Sequence, residues 1–366
     1  MSAAGEPLSL RHPAGVTRLV LGEGALAAAR PYLGEWLEGR RTFVVTTPRV
    51  WGLHGGSLAP LLATATAVHR LEVPEGEAAK SLPEAGRLWA EMLRLGGKRD
   101  SRLLAFGGGS VGDLGGFVAG CFARGIPCAQ LPTTLLAQVD AAIGGKTAVD
   151  LPEAKNSVGV FHHPDLVVGD AAWLATLPPR ELRAGLVEAV KMAFLLDPAL
   201  FARLERELPA LLAGEPAALA AAVHDAAAIK VRVVEADPAE AGERAILNFG
   251  HTLGHALEAA GGYAGLLHGE AVAWGMRFAL RLAGARGLPA AAAERLERVL
   301  AALAPEPLPA FDATDLLARL ARDKKAREGG LGWVLPRDVG QGRWGVVVPP
   351  DEVAAELTAF LAASRP

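Results

Sequence analysis

Three histidines and an asparagine fall within 21 residues of the second half of the chain: Asn248, His251, His255 and His268, with Arg244 just upstream. If this stretch is helical, His251 and His255 lie four residues apart on one face, and both can ligate a metal ion. No Glu follows the first His, so the H-E-x-x-H arrangement of a zinc protease is absent. A lone histidine is more often a satisfied core residue than a ligand, but this cluster sits in a chain with only two Asn. Two imidazoles with Glu188 would make three protein ligands and leave one position open, as at catalytic Zn²⁺ centres. Glu188 and Lys191, three apart within Glu181 to Phe194, place a carboxylate and an ammonium on one helix face. An exposed pair of that kind is worth little. The neighbouring Leu182, Gly185, Leu186, Val190 and Met192 predict a buried helix instead.

Two further constellations lie in the first half. The run Arg102 to Phe106 (RLLAF) leads into Gly107-Gly108-Gly109-Ser110-Val111-Gly112-Asp113, a Gly-rich turn between a strand and a helix. Such a turn can cradle a diphosphate or serve close packing, and its spacing is not the usual G-x-G-x-x-G. The second is Pro132-Thr133-Thr134 through Asp140, then Gly144-Gly145-Lys146-Thr147. It fails as a P-loop, because the first Gly of that pattern would fall at Asp140. Two hydroxyls, an acid and a Lys still make a polar crevice where an open α/β sheet binds ligands. Of 37 basic residues only eight are Lys, and six of these are Lys146, Lys155, Lys191, Lys230, Lys324 and Lys325. Where Arg is the default cation, these Lys, with Asn156 and Asn248, mark positions needing a compact donor or an amide. They predict one anionic, metal-containing site.

The elements that must position these groups change character midway. Short apolar runs at Arg41 to Thr46, Ala67 to Val73, Arg102 to Phe106, Cys128 to Leu131 and Leu166 to Gly169 alternate with helical stretches. This predicts a Rossmann-like α/β domain with a mostly parallel sheet over residues 1–177. After Leu177-Pro178-Pro179 helical spacing dominates through Ala218 to Ala236, Thr252 to Ala260, Ala271 to Leu282 and Ala290 to Ala302. Residues 178–366 are thus expected to form an α-helical domain, with a small β excursion near Gly332 to Val348. A net charge of −3 leaves no basic surplus for nucleic acid. The longest apolar runs stop well short of the ~20 residues of a bilayer span. The first fifteen residues lack a charged start followed by an apolar run, so a cytoplasmic protein is expected. Cys121 and Cys128 are read as small buried residues rather than a redox pair.

In order along the chain, PEGEAAKS, GGGSVGDLGGFVAG, RGIP, PTTLLAQVDAAIGGKTAVD, KNSVGVFHHP, LATLP, GLVEAVK, RAILNFGHTLGHA, LHGEAVAWG and RDKK resemble the 3-dehydroquinate synthase family of sugar-phosphate cyclases. The resemblance implies an NAD-binding α/β domain, a helical metal- and substrate-binding domain, one Zn²⁺ or Co²⁺ ion, and a homodimer. Carried over by position, the metal ligands would be Glu188, His251 and His268, with His255 left as a catalytic or hydrogen-bonding residue. NAD would lie along Glu75, Gly76, Glu77, Ala78, Ala79 and Lys80, then Gly109, Ser110, Val111, Gly112 and Asp113. It would also meet Thr133, Thr134, Lys146 and Lys155, and the segment Trp173, Leu174, Ala175 and Thr176. Substrate groups would meet Asp140, Lys146, Asn156, Lys191, Lys230, Arg244, Asn248, His255 and one or both of Lys324 and Lys325. Arg124 resembles the arginine that the family lends to the neighbouring subunit's phosphate pocket.

The implied reaction turns 3-deoxy-D-arabino-heptulosonate 7-phosphate into 3-dehydroquinate and phosphate. It proceeds through transient oxidation, phosphate elimination, reduction, ring opening and intramolecular aldol closure. One departure from the family stands after the strand RTFVVT, where relatives often place Asp or Asn near the adenosine ribose and this chain has Thr46-Thr47-Pro48-Arg49. NAD rather than NADP thus follows from the resemblance alone. The rival readings are a cyclase of the aminodehydroquinate or valiolone type, and a metal-dependent polyol dehydrogenase. Asn156, Lys191, Asn248 and His255 together favour the dehydroquinate reading over the first, and the abundance of Lys for a phosphate argues against the second.

Overall fold

The computed structural model describes residues 6–151, 154–262, 265–322, 326–327 and 330–364. The chain begins with β1 (Leu8–His12), β2 (Gly15–Gly22), α1 (Ala25–Ala28), α2 (Arg30–Leu37), β3 (Arg41–Thr46), α3 (Pro48–Leu62) and β4 (Ala67–Glu72). Next come α4 (Leu82–Arg94), β5 (Arg102–Gly107), α5 (Gly109–Cys121), β6 (Cys128–Pro132), β7 (Lys146–Leu151), β8 (Ala154–Phe161) and β9 (Leu166–Asp170). Helices follow as α6 (Pro179–Leu196), α7 (Pro198–Leu212), α8 (Pro216–Ala236), α9 (His251–Ala260), α10 (His268–Gly284), α11 (Ala290–Ala302) and α12 (Ala313–Arg322). The last elements are β10 (Ala326–Arg327), β11 (Gly330–Asp338), β12 (Gln341–Val348) and α13 (Pro350–Ala363).

Two compact units are present, Met1–Pro178 with Gly214–Ala239, and Pro179–Ala213 with Glu240–Pro366. The first holds a seven-stranded sheet in the order β1-β2-β9-β6-β5-β3-β4, parallel except for the β1–β2 hairpin. Side chains alternate across its central strands. Phe43, Val45, Leu103 and Ala105 enter one apolar layer with Leu88 and Met92 of α4 and Leu114 and Phe117 of α5. Val44, Leu104 and Phe106 enter the opposite layer with Leu33 and Leu37 of α2 and Leu58 and Leu61 of α3. Burial on both faces is why these strands read as continuous apolar runs rather than as alternating ones.

The five expected strands correspond to β3, β4, β5, β6 and β9. The β1–β2 hairpin and the β7–β8 pair were not anticipated. The β7–β8 pair is rich in polar residues, including Lys146, Asp150, Lys155 and Asn156, and so reads as loop. The second unit is helical apart from the antiparallel sheet β10-β11-β12, which includes the expected excursion. A single cut after Leu177 does not describe the chain, because α8 belongs to the first unit. There it packs on β1, β2 and the π-helical turn Ala137–Ala141. Its apolar side, including Leu219, Val223, Ala226 and Ile229, is buried, and Glu235 accepts from the Arg11 main-chain N–H at 2.7 Å. Among the described residues no helix is long and apolar enough to cross a membrane.

At the middle of the sheet β6 and β9 pair only through Ala129 with Leu166 and Gln130 with Val167. Beyond that the ladder stops, and Gln138, with no exposed surface, takes its place. Its Nε2 donates to the carbonyls of Pro132 and Asp170, each at 3.1 Å, tying the two strand ends together. A buried carbonyl that loses its donor costs about 1–3 kcal/mol. Gln138→Leu is therefore expected to destabilise the fold by about 2 kcal/mol or more. Urea unfolding checks this, and an unchanged midpoint would mean that the amide clamp carries no load.

Candidate active site and metal centre

In the second unit, Glu188 and Lys191 lie on α6 with 0% and 1% of their side chains exposed, and the ammonium is in ion-pair contact with Oε2. The buried face predicted for this helix is thus observed. Close helix approach brings two imidazoles to the same carboxylate. Gly269 of α10 sits where a Cβ would strike the Ala184 carbonyl of α6, and Gly275 where one would strike the Gly250 carbonyl. Gly250 itself has a φ of +78°, and a Cβ there would lie 2.6 Å from the Val272 carbonyl oxygen. These contacts set His251 at the start of α9 and His268 at the start of α10. Their Nε2 atoms lie 3.6 and 3.8 Å from Glu188 Oε1.

The donor set fits a divalent ion. One ligand atom each from Glu188, His251 and His268 can be chosen with all three within 4.8 Å of one another. Both carboxylate oxygens are buried; Oε2 meets the Lys191 ammonium, and Oε1 has no hydrogen-bond partner among the described residues. His251 Nδ1–H donates to the Phe249 carbonyl at 3.1 Å, which leaves its Nε2 lone pair facing Glu188. Burial, followed by the nearby Lys191, His268 and His255, holds the His251 pKa well below its ordinary value, so the ring is neutral, as a ligand must be.

His255 shares a helix face with His251, as its spacing predicted, with ring centroids 5.3 Å apart and planes at 89°. It belongs instead to a second group, His255, Glu258 and His268, which also meets the 4.8 Å criterion. The two groups compete for His268. Its Nδ1 already donates to Glu258 Oε2 at 3.2 Å, whereas Glu188 Oε1, which both imidazole Nε2 atoms face, has no hydrogen-bond partner among the described residues. The Glu188 group is therefore the better ion site, and the pairing suggested by four-residue spacing gives way to His251 with His268. In the same unit Arg244 is buried, and Asn248 Nδ2 donates to Glu240 Oε1 at 2.8 Å. Glu240 and Glu258 were not singled out from the sequence. Glu258 could have been found as the third member of a His-x₃-His-x₂-Glu stripe on α9.

In the first unit the expected cofactor residues follow the carboxyl ends of β4, β5, β6 and β9, where parallel α/β sheets bind ligands, except Lys146 and Lys155, which lie on β7 and β8. The two readings of the Gly-rich turn apply to different residues. Gly112 packs on Gln130, Gly115 on Ala105, Gly116 on Thr147 and Gly120 on Val160. By contrast a Cβ at Gly109 would meet only Ala141, at 3.4 Å. The helix α5 starting there has neither a side-chain cap nor an acid in its first turn, which leaves N–H groups for an anion.

Beside it Lys80 Nζ lies 2.8 Å from Asp113, donates to Asn156 Oδ1 at 2.6 Å, and is 3.8 and 3.9 Å from Asp150 and Glu77. Burial opposes its charge, but Asp113, Glu77 and Asp150 outweigh burial and raise its pKa. Lys155 pairs with Glu77 at 3.3 Å. Lys230 of α8 donates to both the carboxylate and the carbonyl of Asp140 in the π-helical turn.

Other expected residues are placed less simply. Trp173 and Leu174 are 4% and 3% exposed, with Trp173 packed edge-on to Phe106 at 5.3 Å, so their side chains serve the core. Ala175 and the main chain of that segment are left for a cofactor, while the Thr176 hydroxyl donates to the Trp173 carbonyl at 3.2 Å and lies 2.9 Å from His54 Nε2. Thr47 accepts from the Val50 N–H at 3.2 Å and so caps α3, at the position where relatives often have a ribose-binding residue nearby. Arg124 is exposed on a turn in which it and Ala123 have φ of 65° and 49°, a strained conformation that holds the side chain outward. Lys324 and Lys325 lie outside the described residues.

If the α6–α10 approach makes the metal centre, Gly269→Ala should force the helices apart. It is expected to cost about 1–3 kcal/mol of stability and to weaken Co²⁺ binding about tenfold or more. Competition with a chromophoric chelator reads the affinity, and undiminished binding would show that the glycine contact does not set the ligand geometry.

The family models for the 3-dehydroquinate synthase N-terminal and C-terminal domains match residues 70–184 and 185–326. A 3-dehydroquinate synthase of Symbiobacterium thermophilum is 48% identical over 321 residues, covering 86% of this chain and 88% of that protein. Among solved structures, 2-deoxy-scyllo-inosose synthase complexed with carbaglucose-6-phosphate, NAD⁺ and Co²⁺ superposes with a TM-score of 0.87 at 27% identity, over 96% of this chain and 99% of that one. ValA, the 2-epi-5-epi-valiolone synthase of Streptomyces hygroscopicus subsp. jinggangensis with NAD⁺ and Zn²⁺ bound, gives 0.85 at 31% identity, over 95% and 97%. Matches of this extent across both halves show that the chain belongs to the 3-dehydroquinate synthase family.

Proposed function

We propose that this chain is a cytoplasmic 3-dehydroquinate synthase, an NAD- and metal-dependent lyase that converts 3-deoxy-D-arabino-heptulosonate 7-phosphate to 3-dehydroquinate and phosphate. The observation that carries the reading is the Glu188–His251–His268 donor set around a fully buried carboxylate, with Lys191 against the same group, in a chain matched to this family over both halves. When bound, one Zn²⁺ or Co²⁺ ion would make a substrate hydroxyl more acidic, and NAD⁺ would take up and return a hydride.

The remaining chemistry falls to the chain's own groups. Lys191 neutralises Glu188 and brings an ammonium beside the reacting end of the substrate. His255, exposed and with its ring centroid 6.0 Å from that of His268, holds or passes a proton. Asn248, oriented by Glu240, and Arg244 bind polar groups of the substrate, including its carboxylate. Lys146, Asn156 and Lys230, with one or both of Lys324 and Lys325, bind substrate groups, including the phosphate as its charge develops on leaving. Asp140 keeps the Lys230 ammonium in place. The nucleotide lies along Glu75 to Lys80, Gly109 to Asp113, Thr133, Thr134, Lys146, Lys155 and the exposed end of the segment closing at Thr176. In a homodimer, the outward Arg124 reaches the neighbouring subunit's phosphate.

The test is phosphate release from the heptulosonate phosphate with NAD⁺ and Co²⁺, with NADH absorbance followed in parallel. Stoichiometric phosphate and dehydroquinate without net NADH is the expected result. Net NADH with a polyol, or turnover only of a different ketose phosphate, would replace this reading by one of its rivals. His268→Ala is expected to lose both metal binding and turnover while its circular dichroism stays that of the parent chain. Activity retained in metal-free buffer would sink the ligand assignment.

A further inference from the structure

His268 is the ligand that the two overlapping donor groups share, and its two ring nitrogens face different carboxylates. Nε2 is 3.8 Å from Glu188 Oε1 and Nδ1 is 3.2 Å from Glu258 Oε2. His251 has its tautomer set by a main-chain carbonyl, that of Phe249, which does not depend on any side chain. His268 meets the same need through a side chain. Its own side chain is 29% exposed against 10% for His251, so packing constrains its ring less and the Nδ1 hydrogen bond matters more. Glu258 is well placed for this, being 7% exposed and one turn beyond His255 on α9.

We propose that Glu258 is the positioning residue of the metal centre, holding the proton of His268 on Nδ1 so that its Nε2 lone pair is aimed at the ion beside Glu188. The inference rests on the metal-centre reading above. A carboxylate behind an imidazole orients the ring and makes it a stronger donor, and losing such a partner typically costs 10- to 100-fold in metal affinity. It also keeps His255 out of the ligand set: with Nδ1 of His268 engaged by Glu258, the second donor group lacks a free imidazole nitrogen from His268.

Metal-free protein is titrated with Co²⁺ against a competing chelator, with the visible Co²⁺ bands recorded, for the parent chain, Glu258→Gln and Glu258→Ala. One Co²⁺ per chain is expected for the parent. Affinity should fall about 10-fold in Glu258→Gln and up to about 100-fold in Glu258→Ala. The bands should shift while the thermal melt of the metal-free chains stays the same. If Glu258→Ala does not fold, the isosteric Glu258→Gln carries the test. Parent-like affinity and bands in the variants would overturn the proposal. So would a second Co²⁺ in the parent that the variants lose without weakening the first, since Glu258 would then be a ligand of its own ion. A parent chain that binds no Co²⁺ would overturn the metal-centre reading itself, and this inference with it.

Discussion

A carboxylate with no exposed surface has to be neutralised where it stands, and Glu188 is such a group. Taking the charge out of water costs several kcal/mol, which is recovered only if counter-charge and ligands converge on it. Lys191 supplies part of that from one turn along the same helix. The rest comes from α10, which packs on α6, and from α9, which packs on α10, and small residues make these approaches possible. Gly269, Gly250 and Gly275 each stand where a side chain would meet a backbone carbonyl. The helix packing of the second unit and its donor set are therefore one solution to one electrostatic constraint.

The same logic explains why a chain that uses Arg almost everywhere keeps Lys at a few places. Lys80, Lys191 and Lys230 are 4%, 1% and 5% exposed, and each meets a carboxylate. A compact ammonium can serve several oxygens around a point, as Lys80 does with Asp113, Asp150, Glu77 and the Asn156 amide. A planar guanidinium would need more room and a fixed fork. The scarcity of Lys was informative for Lys191 and Lys230, whereas Lys80 was singled out by the family resemblance and not by that scarcity. These ammonium groups are held by acids of the chain, so their direction is set before any anion arrives.

In the first unit the sheet does comparable work without charge. Strands buried on both faces leave their carboxyl ends as the place where polar groups and open main-chain N–H groups can collect. Most glycines of the Gly-rich stretch let α5 lie close to its neighbours, while Gly109 leaves the uncapped helix start open. Gln138 shows how a switch in strand pairing is stabilised, its amide substituting for ladder bonds that β6 and β9 no longer make.

Local pattern determined much of this protein: the parallel strands as apolar runs, the helical second half, the buried face of α6, and a cluster of His, Asn and Lys whose order along the chain carries the family resemblance. These were legible because each depends on residues near one another in sequence. Which histidines share a carboxylate was not legible from spacing, since four residues on a helix set a common face but not what that face meets. The tertiary structure decided it by placing His268, thirteen residues past His255, against α6. It also decided that α8 returns to the first unit, that Trp173 belongs to the core, and that Glu240 and Glu258 meet Asn248 and His268. All of these turn on contacts between distant segments, whose close approach is set by backbone packing that no local pattern encodes.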